Sequence, residues 1–230
     1  MAAATRSKFT KQLDDIEEYL SRLTEKCASD VRAAGLAACG DKGASEGVMA
    51  GRKNEDRLRN AIEENCLDVM LLQQPLIGED LRFVSGAFRI VSDLTHIDGM
   101  TRDIAFLVEE IPGKAAKKLV AEFTEMAECA ASMVEQAGAA FAAADVEGAQ
   151  RVVEEDNRVN ELYDEVEGKL VELIRAGKSS AQYLPELLMV AKYFERIGDL
   201  AKRVAAWAIF RVTGEHVVAE KASQQRPTEG

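Results

Sequence analysis

One stretch of this chain is written twice. SDLTHIDGMTRDIAF, ending at Phe106, is followed one hundred positions later by YFERIGDLAKRVAAW, ending at Trp207. In register, Ile97 falls on Ile197, Ile104 on Val204 and Ala105 on Ala205, whereas Thr95 falls on Glu195 and Gly99 on Asp199. Glu46-Gly47 and Glu147-Gly148 match at nearly the same offset. A repeat of this length confines the fold to two related units side by side, each about a hundred residues. The apolar positions repeat, but the charged ones do not.

Within each unit the hydrophobic spacing is helical. Leu13, Ile16, Leu20, Leu23, Cys27 and Val31 recur in threes and fours, which predicts one amphipathic helix from Lys8 to about Gly35, roughly 42 Å long at about 1.5 Å per residue. The glycine-rich run GLAACGDKGASEGVMAG should interrupt it. The pattern resumes at Leu58, Ile62, Cys66, Val69 and Leu72 and stops before Pro75, which disfavours the helical region for Gln74. Glu79 and Asp80 suit the first turn of a third helix, Leu81 to about Glu110, closed by Pro112 and Gly113. The second unit is expected to repeat the plan, with a helix from Lys114 to Ala143, one through Val152, Val159, Leu162, Val166, Leu170 and Ile174, and a last one from about Gln182 to Val212. The expectation is an all-α protein of six long helices in two tandem three-helix bundles, residues 1–112 and 113–216, with 217–230 as a polar, disordered tail.

Composition narrows the functions. With only 4 Pro and an abundance of Ala, Leu and Glu, helix is favoured over sheet throughout. A net charge of −11 argues against nucleic acid and against general adhesion to anionic lipid, both of which need clustered Lys and Arg. The 4 cysteines are far apart with no CxxC, as expected of reduced thiols in the cytosol. Neither an export signal nor a membrane span is expected.

The informative side chains are carboxylates. If the last two helices form an antiparallel hairpin turning near Lys178, Asp156 stands level with Asp199, and Asn160 with Glu195. Each pair is four residues apart on its helix and so shares a face. Four oxygen-bearing side chains would then converge at the edge of the apolar stripe, and two ionised carboxylates at that spacing repel unless a cation joins them. Oxygen ligands suit Mg, Mn or Fe. The plainer alternative is a solvated acidic face with Asp199 paired to Arg203. In the first unit Glu55 stands level with Gly99, and Arg59 with Thr95, so that copy is expected to lack an equivalent metal site or to hold a weaker, rearranged one. Asp98 would point about 100° away from the place of Asp199.

Asp93 and His96 have the D-x-x-H spacing of a carboxylate-bundle di-metal protein, but the only other histidine is His216, near the end of the last helix. A lone His on a helix flank is ordinarily structural. No nucleophile motif or P-loop appears. No cluster of arginines or glycine-rich nest for phosphate is visible either.

The run CLDVMLLQQPLIGEDLRFVSGAFRIVSDL, followed by AKYFERIGDLAKRVAAW, resembles the PhoU family, regulators accessory to the phosphate-specific transport system, over nearly the whole chain. The resemblance implies two related three-helix bundles, usually homodimeric, in the bacterial cytoplasm. It implies an adaptor between the phosphate ABC transporter and a sensor histidine kinase, reaching the membrane only through these partners. It also implies metal binding through E/D-x-x-x-D motifs, which Glu195 and Asp199 retain and to which Asp156 with Asn160 is similar; the ion would be Fe, Mn, Mg or Zn. Thr95 and Gly99 depart from the motif in the first copy. The competing readings are a metal-dependent bundle enzyme using the second copy's carboxylates, and a dimer in which metal is purely structural.

Overall fold

The computed structural model describes residues 2–73, 75–112, 116–176 and 182–216, with side chains from residue 8 onward. Among the described residues seven helices of eight residues or more follow in order: α1 Ala2–Ala38, α2 Lys42–Ala50, α3 Arg52–Leu72, α4 Gly78–Glu109, α5 Val120–Ala143, α6 Val146–Arg175 and α7 Leu184–Thr213. No strand occurs among the described residues. The six long helices are those expected from periodicity, three to each half.

The seventh, α2, lies where the glycines predicted a break. Gly40, at φ 104°, ends α1 as only glycine readily can. The Asp41 carboxylate then accepts from Ala44 N–H and caps a new helix. Burial of Val48 and a hydrogen bond from Ser45 Oγ to the Ala105 carbonyl of α4 fix that helix against its neighbours. Tertiary contacts thus override the two glycines within it, Gly43 and Gly47. Asp145 caps α6 in the same way, accepting from Gly148 N–H. α5 begins at Val120 rather than Lys114, after a single turn at Ala116–Leu119; Lys114 lies outside the described residues, as do Gln74 and the tail.

α1, α4, α5 and α7 pack on one another in the middle of the molecule: α1 lies on α4 and α5, and α7 lies on the same two. α3 covers α1 and α4 from one side, and α6 covers α5 and α7 from the other. A single hydrophobic core therefore runs through both halves, from Ile16, Leu23 and Ile62 to Phe123, Val166 and Phe194. Each large side chain buried there contributes about 1.5–3 kcal/mol relative to exposure.

Close approach at the centre depends on two glycines. α1 and α5 run antiparallel, with Gly35 against Ala127 and Thr24 against Gly138. A Cβ on Gly35 would sit 2.3 Å from that of Ala127, and one on Gly138 would sit 2.5 Å from the Thr24 methyl. These two contacts exchange places under the twofold relation between the halves, so the same device serves both.

Candidate metal centre

Three acids in the first half lie on the apolar stripes of their helices. Asp30 follows Leu23 and Cys27 on α1, Glu55 precedes Leu58 and Ile62 on α3, and Asp98 follows Val91 and Leu94 on α4. The three helices meet along these stripes, so the carboxylates are carried inward, and none of the three residues is more than 6% exposed. One oxygen from each lies within 4.8 Å of the others, close enough to hold one metal ion. Two cations border the cluster. Lys26 pairs with Asp30 and lies 3.0 Å from Glu55 Oε1; Arg102 pairs with Asp98 and lies 3.1 Å from Glu55 Oε2.

Crowding sets the protonation. Burial, aided by the neighbouring Glu55 and opposed by Lys26, pushes Asp30 up to about 6. Burial together with the charge of Glu55 does the same for Asp98, also to about 6, against the pull of Arg102. Burial pushes Glu55 upward too, but hydrogen bonds from Lys26 and Asp30, with a smaller one from Asp98, hold it below its ordinary value. Glu55 is thus the standing anion, and the two aspartates carry protons in mildly acidic solution. A divalent ion would displace those protons, so its affinity rises with pH through about 6. An all-oxygen donor set suits hard cations such as Mg or Mn, and iron. Glu55 Oε1 faces the Lys26 ammonium at 3.0 Å, so an ion bound there would take that ammonium's place.

In the second half Asp156 takes the place of Glu55 and Lys202 the place of Arg102. Gly198 stands where Asp98 does, and Met133 of α5 lies beside it: a Cβ on Gly198 would be 3.1 Å from Asp156 Oδ1 and 3.7 Å from Met133 Sδ. One carboxylate remains of three. Asp156 Oδ2 accepts from Lys202 Nζ at 2.6 Å and from Asn160 Nδ2 at 2.8 Å, while Oδ1 has no hydrogen-bond partner.

The second-half residues singled out from sequence lie on facing helices, Asp156 and Asn160 on α6, Glu195 and Asp199 on α7. The structure joins Asp156 directly to Asn160 and, through Lys202, to Asp199, whose Oδ1 is 2.8 Å from Nζ. Glu195 stands apart from this chain of contacts, with Lys192 Nζ 2.7 Å from its Oε2. The cation that two facing carboxylates call for is here an ammonium. Burial draws the Lys202 ammonium pKa down, but hydrogen bonds to Asp156 and Asp199 more than reverse this and leave it raised.

One expected pairing is corrected, and two open alternatives are narrowed. Asp199 does not pair with Arg203, which reaches across to Asp93 of α4 at 2.8 Å. That pairing also removes Asp93 from any di-metal arrangement with His96, which is exposed. The first copy, expected to lack an equivalent metal site or to hold a weaker, rearranged one, contains a rearranged cluster of acids, because the turn of about 100° that separates Asp98 from the place of Asp199 points Asp98 into the core. The member of the cluster that the sequence reading missed is Asp30. Its signal was an acid at the i+3 position from Cys27, inside an otherwise apolar stripe.

The PhoU domain family model matches this chain twice, at residues 18–108 and 123–208. A protein of Clostridium acetobutylicum named phosphate-specific transport system accessory protein PhoU homolog is 28% identical over 216 residues, covering 93% of this chain and 98% of the relative. A homolog of the same name from Aquifex aeolicus is 30% identical over 177 residues, 75% of this chain and 78% of its own length. The crystal structure of PhoU from Pseudomonas aeruginosa superposes with a TM-score of 0.78 at 24% identity, over 90% of this chain and all of that one. That of the phosphate transport system regulatory protein PhoU from Streptococcus pneumoniae gives 0.81 at 22% identity, over 91% and 99%. The relatives are named as accessory or regulatory proteins rather than enzymes, and among the described residues no helix is long and apolar enough to cross a membrane. With both of its repeats matched, the chain belongs to the PhoU family.

Proposed function

We propose that this chain is a non-enzymatic regulator of phosphate uptake and of the phosphate-starvation response, an adaptor in the cytoplasm between a phosphate ABC transporter and a sensor histidine kinase, working as a homodimer. The observation that carries this reading is the pair of PhoU domains, together with relatives over nearly the full length that are named as accessory to the phosphate-specific transport system. The repeats are taken as residues 1–112 and 113–216, with 217–230 as a tail. A metal ion, of Fe, Mn, Mg or Zn, would bind at Asp30, Glu55 and Asp98 and tie α1, α3 and α4 together. A second ion at Asp156, Asn160, Glu195 and Asp199 would require Lys202 to swing away.

The test is made in cells grown with ample phosphate. The tagged chain is expected to co-purify with the transporter's ATPase subunit and with the kinase, and deletion of its gene is expected to switch on starvation genes. If neither partner is recovered and the response is unchanged on deletion, the adaptor reading is wrong.

A further inference from the structure

Away from both carboxylate sites, a pocket of about 310 Å³ opens between α4 and α7, lined by Arg89, Ser92 and Asp93 on one side and by Arg203, Trp207 and His216 on the other. Asp93 is 1% exposed, and its Oδ1 lies 2.8 Å from an Arg203 Nη. The Arg203 side chain is nevertheless 57% exposed, so the carboxylate fixes one edge of the guanidinium and leaves the rest facing the opening. Arg89 lies over the Trp207 ring, 5.8 Å from its centroid, and has no ion pair among the described residues. Phe210 and His216 stack on each other at 4.2 Å, and both meet the indole edge-on at 5.4 Å. Two guanidinium groups against one carboxylate make this a positive hollow on a chain of net charge −11.

The repeat provides an internal comparison. Arg89, Asp93, Arg203 and Trp207 correspond to Met189, Tyr193, Asp103 and Leu107. At that mirrored place Tyr193 faces Asp103 and none of the four matched positions carries an arginine or an indole; the one cation acting on Tyr193 there is Arg196, from the position matched to His96. The bundle therefore does not require these side chains, since the same helix crossing forms without them.

We propose that the α4/α7 pocket binds a nucleotide, with its phosphoryl group on Arg89 and Arg203 and its base against Trp207. Guanidinium forks match phosphoryl oxygens, and the carboxylate of Asp93 orients one fork in advance. The volume is at the lower end of that of small-molecule sites and several-fold more than a phosphate ion fills. The indole supplies the flat apolar wall on which a base stacks once the Arg89 guanidinium swings from over the ring to the phosphoryl group. This inference goes beyond the adaptor reading and does not depend on it.

Trp207 is the only tryptophan of the chain, so its emission reports on the pocket directly. The full chain is titrated with AMP, GMP, adenosine and inorganic phosphate at constant ionic strength, by Trp fluorescence and in parallel by calorimetry. At least one nucleotide should bind saturably, with adenosine and inorganic phosphate each at least about tenfold weaker. Arg89→Met installs the residue that the second repeat carries on an exposed position, and it should weaken nucleotide binding at least about tenfold with an unchanged circular dichroism spectrum. Arg203→Gln should do the same, read beside its own melting curve because Asp93 loses its partner. Absence of saturable nucleotide binding in both assays would overturn the proposal. So would unchanged affinity in Arg89→Met, or inorganic phosphate binding as tightly as the nucleotides.

Discussion

Glu55 and Asp156 occupy equivalent places in the two halves, yet one sits among three acids and two cations while the other has a single lysine and an amide for company. Besides Glu55 against Asp156 and Arg102 against Lys202, the second site loses two acids, with Gly198 in place of Asp98 and Met133 in place of Asp30. The first arrangement is over-supplied with acid and holds its charge by keeping protons or by taking up a metal ion. The second is a closed pair whose positive charge is built into the chain. A duplicated fold can thus keep its packing while the two copies diverge in what they ask of solvent.

The largest expected effect comes from opening the closed pair. Lys202→Met leaves Asp156 buried without its cation and should destabilise the protein by about 3–5 kcal/mol, a fall in Tm of roughly 10 °C for a chain of this size. Arg102→Met should cost markedly less, because Lys26 and two proton-bearing aspartates remain around Glu55. Thermal melts of the two variants side by side check this, and equal losses would mean that the halves are not electrostatically different. Next is metal retention. Asp30→Asn/Asp98→Asn should lower the affinity for Mn or Fe at least about 100-fold, while Asp156→Asn leaves it unchanged, as measured by elemental analysis after dialysis. Loss in Asp156→Asn alone would move the site to the second half.

The third effect is one of pH. The folded-state pKa values of Asp30 and Asp98, near 6, lie above their ordinary value of 3.8, so below about pH 4 both states of the protein hold these protons. As pH rises toward and through 6, the unfolded chain releases them first and the folded chain is penalised. In chelator, the Asp30→Asn/Asp98→Asn variant should therefore gain Tm over wild type as pH increases from 4.5 to 7.5, and should show little gain at the acid end. A gain that shrinks with pH would reverse the assignment. Smallest is the difference between the two glycine contacts. Gly35→Ala meets the Ala127 Cβ, which cannot rotate away, and should cost about 1–3 kcal/mol. Gly138→Ala meets a Thr24 side chain that can turn, so its cost in a denaturant melt should be lower.

The architecture was largely legible because stripes such as Leu187, Val190, Phe194 and Ile197 fix both the type of helix and its buried face. The short helix α2 was not, because Asp41 capping and the Ser45 bond to α4 outweigh its two glycines only once the rest has folded. The acidic pairs of α6 and α7 could be placed on facing helices from turn positions alone. Lys202 between them could not, nor could the meeting of Asp30 with Glu55 and Asp98, because a periodic pattern says which face is inward but not which neighbour will be found there. Arg89 and Arg203 share a pocket only because α4 crosses α7 between the halves, a contact that no local pattern encodes.

The reciprocal contacts of α1 with α5 bear on ancestry. Gly35 on Ala127 and Thr24 on Gly138 are the two ends of one twofold relation, and in a protein of half this length the same surfaces would meet between separate molecules. A single repeat expressed alone would carry an open apolar flank whose natural complement is another copy of itself. Joined in one chain, the two units meet through an association fixed by covalent linkage rather than governed by concentration. Held together in this way, matching places carry different side chains: Asp30 and Asp98 in the first unit stand against Met133 and Gly198, and Arg203 and Trp207 in the second against Asp103 and Leu107.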